Sequence, residues 1–207
     1  MGRRAARLRT DRRRTAIRRA DIAFAAMAVG VLLLAGACLL LLGGPRAAPA
    51  AAIGGPFALT QDRGAVVTQR DFLGHYVLIY FGYTACPDVC PTTLAAVADA
   101  LGILGRRAER LRPVFITIDP QRDTPDVLRA YASHFSPAIT ALSGTPAEIR
   151  TVEHAYRITS ILRPGRDGYT IDHTSVLYLM APDGSYLAPL PASDTGPELA
   201  KALAQYL

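Results

Sequence analysis

Two cysteines four residues apart, in Cys86-Pro87-Asp88-Val89-Cys90-Pro91, are the residues of this 207-residue chain best suited to chemistry. A thiolate is both a nucleophile and a soft metal ligand, so a pair of thiols at one site supports either metal capture or thiol–disulfide exchange. Pro91 suits the first position of a helix. That would put Cys90 at the N-cap and both sulfurs near a helix N-terminus, where unpaired N–H groups favour the thiolate. A stabilising disulfide is the plainer alternative, but a bridge over so short a loop constrains the unfolded chain little. Zinc fits poorly, because structural zinc sites close with four ligands and no second cysteine pair follows. Two sulfurs joined by one imidazole suit copper, and Cu(I) in particular is content with few soft donors.

Four histidines compete for that third place. His75 precedes a strand, His134 lies on a helix and His154 falls off the apolar face of another, so each reads as solvated surface. His173 follows Asp172 in a turn leading into the strand at residues 176–180, where a loop can bring it over the cysteines. Residue type and spacing alone leave its role open.

The elements that must position these residues follow from the hydrophobic pattern. Residues 76–81 form an apolar run, expected as a buried strand that feeds the cysteine loop. After Pro91, Leu94, Val97, Leu101 and Leu104 recur at three- and four-residue steps, the spacing of one helical face. Residues 113–118 predict a second buried strand. Thr124-Pro125 then supplies an N-cap and a first-turn proline ahead of Val127, Leu128, Tyr131 and Phe135. Thr145-Pro146-Ala147-Glu148 is a capping box opening a helix with Ile149, Val152 and Tyr156 on one face. Residues 57–60 and 65–67 around Gln61-Asp62-Arg63-Gly64 predict an N-terminal hairpin, residues 176–180 and 186–188 around Pro182-Asp183-Gly184 another, and residues 197–207 a closing helix. Strands and helices alternate through the centre, with hairpins at the ends and no Gly-rich dinucleotide loop. The expected fold class is α/β, a thioredoxin-like sandwich with an N-terminal hairpin.

Half of the residues are hydrophobic, enough for one good core plus an appendage. The formal charge of +6 is local, because nine of the 23 basic residues lie between Arg3 and Arg19. Residues 43–207 retain 14 basic against 15 acidic side chains, a net charge of −1. Without a basic stripe, nucleic-acid binding is set aside. Residues 22–42 carry no charge and match the ~20 residues needed to cross ~30 Å of hydrocarbon, predicting one transmembrane helix. The arginines ahead of that run place residues 1–21 in the cytoplasm and the remainder across the membrane. Small residues at 47–52 offer a signal peptidase an alternative, but so long an apolar run exceeds a usual signal core. Cys38 sits within the run and reads as a lipid-facing or packing thiol. Residues 43–55, rich in Gly, Pro and Ala, form a tether, and the globular domain spans 56–207. About 20 residues before the anchor fit a bacterial inner-membrane protein with a periplasmic domain better than a mitochondrial inner-membrane protein.

Three segments together resemble the Sco/SenC family of copper chaperones. The run Tyr80-Phe-Gly-Tyr-Thr-Ala-Cys86-Pro-Asp-Val-Cys90-Pro-Thr-Thr-Leu94 resembles its signature. Thr117-Ile-Asp119-Pro-Gln-Arg-Asp123-Thr-Pro125 and Asp172-His173-Thr-Ser-Val-Leu-Tyr-Leu179 resemble its other two motifs, in the same order. The match spans residues 56–207, and the single anchor ahead of the domain is similar to the family plan. The resemblance implies that Cys86 and Cys90 bind copper through sulfur, that His173 is the third ligand, and that the partners are the copper-site subunit of cytochrome c oxidase and other copper chaperones. Asp119 and Asp123 match acidic positions of the middle motif but read as a turn and the approach to a capped helix. Asp88 reads as a solvated loop residue. Three residues separate the cysteines where thioredoxin-like oxidoreductases have two, and residues 170–176 contain no proline, so general oxidoreductase activity is less expected. The competing readings are a thiol–disulfide oxidoreductase that reduces the copper-site cysteines of an oxidase subunit or another chaperone, and a peroxide-reducing or redox-sensing module.

Overall fold

The computed structural model describes residues 27, 30, 32–34, 53–166 and 168–207. The chain divides into two compact units, Met1–Ala51 and Ala52–Leu207. The expected cytoplasmic segment, the anchor at 22–42 and the tether up to residue 52 lie outside the described residues, apart from Met27, Gly30 and residues 32–34, which are helical.

In the second unit the apolar run becomes strand β3. The strands are β1 (Ala58–Gln61), β2 (Val66–Thr68), β3 (Tyr76–Gly82), β4 (Leu111–Thr117), β5 (Thr140–Ser143), β6 (Ser160–Gly165), β7 (Gly168–His173), β8 (Val176–Met180) and β9 (Tyr186–Pro191). The helices are α1 (Val89–Leu104), α2 (Pro125–Phe135), α3 (Pro146–Tyr156) and α4 (Gly196–Leu203). Seven strands form one mixed sheet in the order β2-β1-β5-β4-β3-β8-β9, and β6 and β7 pair as a separate hairpin. β3 runs parallel to β4, from Tyr76 opposite Leu111 to Gly82 opposite Thr117, and antiparallel to β8. A parallel pair needs a crossover, and α1 supplies it.

Because strand side chains alternate, β3 serves two cores. On one face Tyr80 packs on Phe115, and Phe115 on Tyr131 of α2. On the other, Phe81 meets Tyr156 of α3 and Tyr178 of β8. α1 buries Cys90, Leu94, Val97 and Ala100, and α4 packs alongside it. Among the described residues, only the helical stretch Val89–Arg110 is long and apolar enough to cross a membrane, but this buried face marks it as a core helix. Thr124 and Thr145 cap α2 and α3 as expected, each followed by a proline in the first turn. β9 closes one edge, where Pro189 and Pro191 withhold ladder donors from any further strand.

Two elements depart from the expected order. β5 is only four residues long, too short for its pattern to stand out. The β6–β7 hairpin interrupts the alternation just before β8. All six residues of β6, Ser-Ile-Leu-Arg-Pro-Gly, are exposed, so the strand lacks the in–out alternation by which strands are recognised.

Candidate metal centre

The cysteine loop leaves the end of β3 and turns into α1. Cys86 N–H closes a turn on Tyr83 O at 3.2 Å. Asp88, not Cys90, is the N-cap, so the helix begins two residues earlier than the proline suggested and Cys90 lies within its first turn. Cys90 faces the sheet with no exposed surface, whereas Cys86 is half-buried on the lip of a cleft. Both are free thiols.

The expectation that the helix N-terminus makes both sulfurs thiolates fails at Cys90. Burial, followed by the hydrogen bond with Cys86, pushes its thiol up to about 12. The Cys90 N–H points at Cys86 Sγ, 3.4 Å away. Close packing at this point depends on Gly82, because a Cβ there would lie 2.9 Å from Cys90 Sγ and 2.9 Å from Phe115. The neighbouring Tyr80 hydroxyl is buried without a hydrogen-bond partner, and burial, then the Cys90 sulfur, holds it well above the ordinary phenol range.

His173 is the last residue of β7 rather than part of a simple turn, and the hairpin carries it to the cysteines. Its Nε2 stands 3.7 Å from Cys90 Sγ across 83 residues of sequence. Nδ1 is 2.9 Å from Thr174 O. A carbonyl only accepts, so the ring proton sits on Nδ1 and the Nε2 lone pair faces the sulfur. Burial lowers the imidazole below its ordinary value and keeps it neutral, outweighing Thr174 O and Asp172. The rings of Tyr80 and Tyr83 flank it at 6.4 and 6.1 Å. Together Tyr83, Cys86, Asp88, Val89, Ile171 and His173 help line a cleft of about 360 Å³.

Among the described residues, no three His, Cys, Asp or Glu side chains are already gathered as a metal cage. Cys90 and His173 face each other, but the Cys86 sulfur is engaged with the Cys90 amide. The donor set nevertheless suits a soft cation: two sulfurs and one neutral imidazole with its lone pair turned inward. Of the other histidines, His134 and His154 are exposed as expected. His75 is not simply solvated, since its Nε2 lies 2.7 Å from the Arg112 guanidinium.

The acidic motif residues do more than form a turn. Asp123 is wholly buried and accepts from Thr84 N–H at 3.0 Å, Thr84 Oγ1 at 2.6 Å and Thr117 Oγ1 at 2.5 Å. It therefore straps the cysteine loop to the end of β4, although burial works the other way on its acidity and raises its pKa. Asp119 pairs with Arg122 and accepts from Tyr169 Oη at 2.9 Å. Arg122 donates to Tyr169 O at 2.9 Å and stacks 3.8 Å over the Tyr169 ring. Tyr83 Oη accepts from Ile171 N–H at 3.1 Å. These contacts dock the hairpin on the cysteine loop and so set the place of His173. Asp88 is exposed, as expected.

The family model described as SCO1/SenC matches residues 45–207. The chain belongs to the SCO1/SenC family. It is 39% identical over 161 residues to the mitochondrial SCO1 homolog of Mus musculus, covering 75% of this chain and 56% of that protein. To protein SenC of Rhodobacter capsulatus it is 43% identical over 138 residues, covering 66% of this chain and 62% of that one. The SCO1/SenC chain thus spans little more than half the length of these relatives. The structure of Bradyrhizobium japonicum ScoI with copper bound superposes with a TM-score of 0.70 at 45% identity, covering 75% of this chain and 100% of that one. The mixed α/β fold with a thioredoxin-like central sheet is therefore that of the SCO1/SenC proteins.

Proposed function

We propose that this chain is a copper chaperone that takes copper through Cys86, Cys90 and His173 and assists copper-site assembly of cytochrome c oxidase. The observation that carries the reading is the meeting of Cys90 Sγ and His173 Nε2 at 3.7 Å, with the imidazole lone pair turned to the sulfur. The copper-bound ScoI relative supports the identity of the cargo. Cys90 is the buried member of the site, and Cys86 and His173 are both half-buried on the cleft. Uptake requires Cys90 to give up a proton that burial makes it hold, and a cation beside the sulfur reverses that preference. It also requires Cys86 to turn its sulfur from the Cys90 amide toward the His173 pair. Handover then begins at Cys86, the donor an acceptor thiol can reach.

Anaerobic titration of the reduced full chain with Cu(I) against a competing chelator tests this. One equivalent should bind. His173→Ala and Cys86→Ser should each weaken binding by more than about tenfold, the lower end of what loss of an outer-shell partner alone costs. Unchanged affinity in His173→Ala would remove His173 as a ligand.

A second reading rests on the same asymmetry, because an accessible thiol beside a buried one is the arrangement of an attacking and a resolving cysteine. Cys86 thiolate would attack a disulfide of an oxidase subunit or another chaperone, and one partner sulfur would leave as a thiolate. Cys90 would then displace the second partner sulfur, giving a Cys86–Cys90 disulfide and a reduced partner. His173→Ala spares this reaction, so the two readings separate on one variant.

The same reading places residues 22–42 across a bacterial inner membrane, with residues 1–21 in the cytoplasm and the copper-binding domain, 56–207, in the periplasm. Resistance of membrane-bound chain to an alkaline wash, with protease cleavage from the periplasmic side only, checks it.

A further inference from the structure

Tyr80 and Tyr83 open the cysteine motif, and the fold uses only one of their hydroxyls. Tyr83 Oη accepts from Ile171 N–H and helps dock the hairpin. Among the described residues, Tyr80 Oη is buried with no hydrogen-bond partner, on a side chain only 1% exposed. Such a hydroxyl has lost its bonds to water and gained none, so a phenylalanine of the same shape would serve the core better. Buried polar atoms are nearly always paired, and one that is not calls for a reason.

The surroundings of Tyr80 supply one. Side chains alternate along β3, so Tyr80 and Gly82 share a face of the sheet. A Cβ at Gly82 would lie 2.9 Å from Cys90 Sγ and 3.3 Å from Tyr80 Cε1, so the sulfur and the edge of the phenol ring meet over the same glycine. The His173 ring stands 6.4 Å away. Burial pushes the Cys90 thiol up, and the Tyr80 hydroxyl acts on it in the opposite direction, as a donor facing a sulfur does. Thr93, three residues further along α1, also bears on the phenol. Its hydroxyl proton is already shared between Val89 O at 2.8 Å and Ala192 O at 3.0 Å, so Thr93 has none to offer Tyr80. Burial, then the Cys90 sulfur, holds the phenol well above its ordinary range, so Tyr80 keeps its own proton and is a donor. A neutral thiol accepts weakly, whereas a sulfur that has exchanged its proton for a metal carries charge and accepts strongly.

We propose that Tyr80 is a positioning residue of the metal centre, its hydroxyl donating a hydrogen bond to Cys90 Sγ once that sulfur is bound to copper. This rests on the copper-chaperone reading and adds a fourth residue to it. As the sulfur–copper bond forms, the Cys90 proton passes to water in the cleft. The phenol keeps its proton and turns it toward the sulfur, and no group is oxidised or reduced. With little water to compete, a hydrogen bond to charged sulfur is strong there and offsets part of the penalty of burying it.

The test sets Tyr80→Phe beside Tyr131→Phe in the reduced full chain. Tyr131 is the control: its hydroxyl is also buried without a partner among the described residues and its ring packs on the same Phe115, but beyond burial the cysteines act on it through charge alone. Without copper, Tyr80→Phe should unfold about 3 °C higher than the parent, because an unsatisfied hydroxyl is gone. In anaerobic Cu(I) titration against a competing chelator, the same variant should bind about tenfold more weakly, the scale of losing a partner of a metal ligand. Tyr131→Phe should keep the parent's affinity. A role confined to packing moves stability and affinity in the same direction. With tyrosine labelled at the ¹³Cζ position, one of the nine signals, the one missing from Tyr80→Phe, should shift on loading with Cu(I). An unmoved Tyr80 signal, a fall in affinity matched by Tyr131→Phe, or a lower unfolding temperature for Tyr80→Phe would overturn the proposal. A parent chain that takes up no Cu(I) defeats the copper reading itself, whereas a parent that binds no more tightly than Tyr80→Phe defeats this inference alone.

Discussion

Replacing Asp123 with alanine gives the sharpest test of how the site is built. The carboxylate accepts three hydrogen bonds from Thr84 and Thr117, with no solvent exposure to replace them. Hydrogen bonds to a charged group contribute roughly 1.5–3 kcal/mol each before offsets. Removing the carboxylate also relieves the cost of burying a charge, which here is large enough to raise its pKa. The net loss expected for Asp123→Ala is about 3–5 kcal/mol, because three donors are left without partners. For a domain of this size that corresponds to a fall of roughly 10 °C in Tm. Asp123→Asn keeps one oxygen for two of the bonds and lets the Thr84 hydroxyl rotate to accept the third, so it should cost only about 1 kcal/mol. Thermal unfolding should separate the two variants. Amide exchange at Thr84–Val89 should accelerate in Asp123→Ala, and Cu(I) affinity should fall with it. If Asp123→Ala stays within about 1 kcal/mol of the parent, or if it loses stability while loop exchange and Cu(I) affinity hold, the strap does not position the cysteines.

Three further outcomes follow from neighbouring contacts. Gly82→Ala forces a methyl to 2.9 Å from Cys90 Sγ, so it should weaken Cu(I) binding and cost about 1–3 kcal/mol by overpacking; unchanged affinity would mean the Cys90 position is not critical. Arg122→Ala removes the pairing with Asp119 and the stack on Tyr169, so exchange should rise along β7 and Cu(I) affinity drop with α1 unaffected; unaltered β7 protection would refute docking through Arg122. Glu153 has one carboxylate oxygen buried without a partner, and burial raises its pKa, so the folded state holds this proton to higher pH than the unfolded chain. Its contribution is therefore present below the ordinary glutamate range and lost as pH rises through the folded value. Glu153→Gln should be more stable at pH 7 and show a flatter fall across that window in urea unfolding, and parallel pH curves for the two proteins would sink the assignment.

Much of the scaffold was legible because its signals are local. Thr124 and Thr145, each followed by proline, mark the starts of α2 and α3 through bonds made within one turn. The continuous apolar run of β3 and the regular steps of α1 declare burial without reference to the rest of the chain. β5 and the β6–β7 hairpin escaped, the first because four residues carry too short a pattern and the second because an exposed strand has no buried face to advertise.

The sequence by itself determined the inventory of the site: two thiols at a strand-to-helix junction, a histidine ahead of β8, and three ordered motifs that resemble one family. Only the tertiary structure decided how those groups behave. That Cys90 is buried and holds its proton while Cys86 stays accessible depends on which side of α1 meets Gly82 and Phe115. That His173 turns Nε2 to the sulfur depends on a hairpin docked through Tyr83 and Arg122, and that Asp123 straps the loop depends on Thr84 lying 39 residues away in sequence but in contact in space. Local pattern reports the backbone bonds and burial of a segment, whereas acidity, tautomer and approach are set by neighbours that only the closed fold brings together.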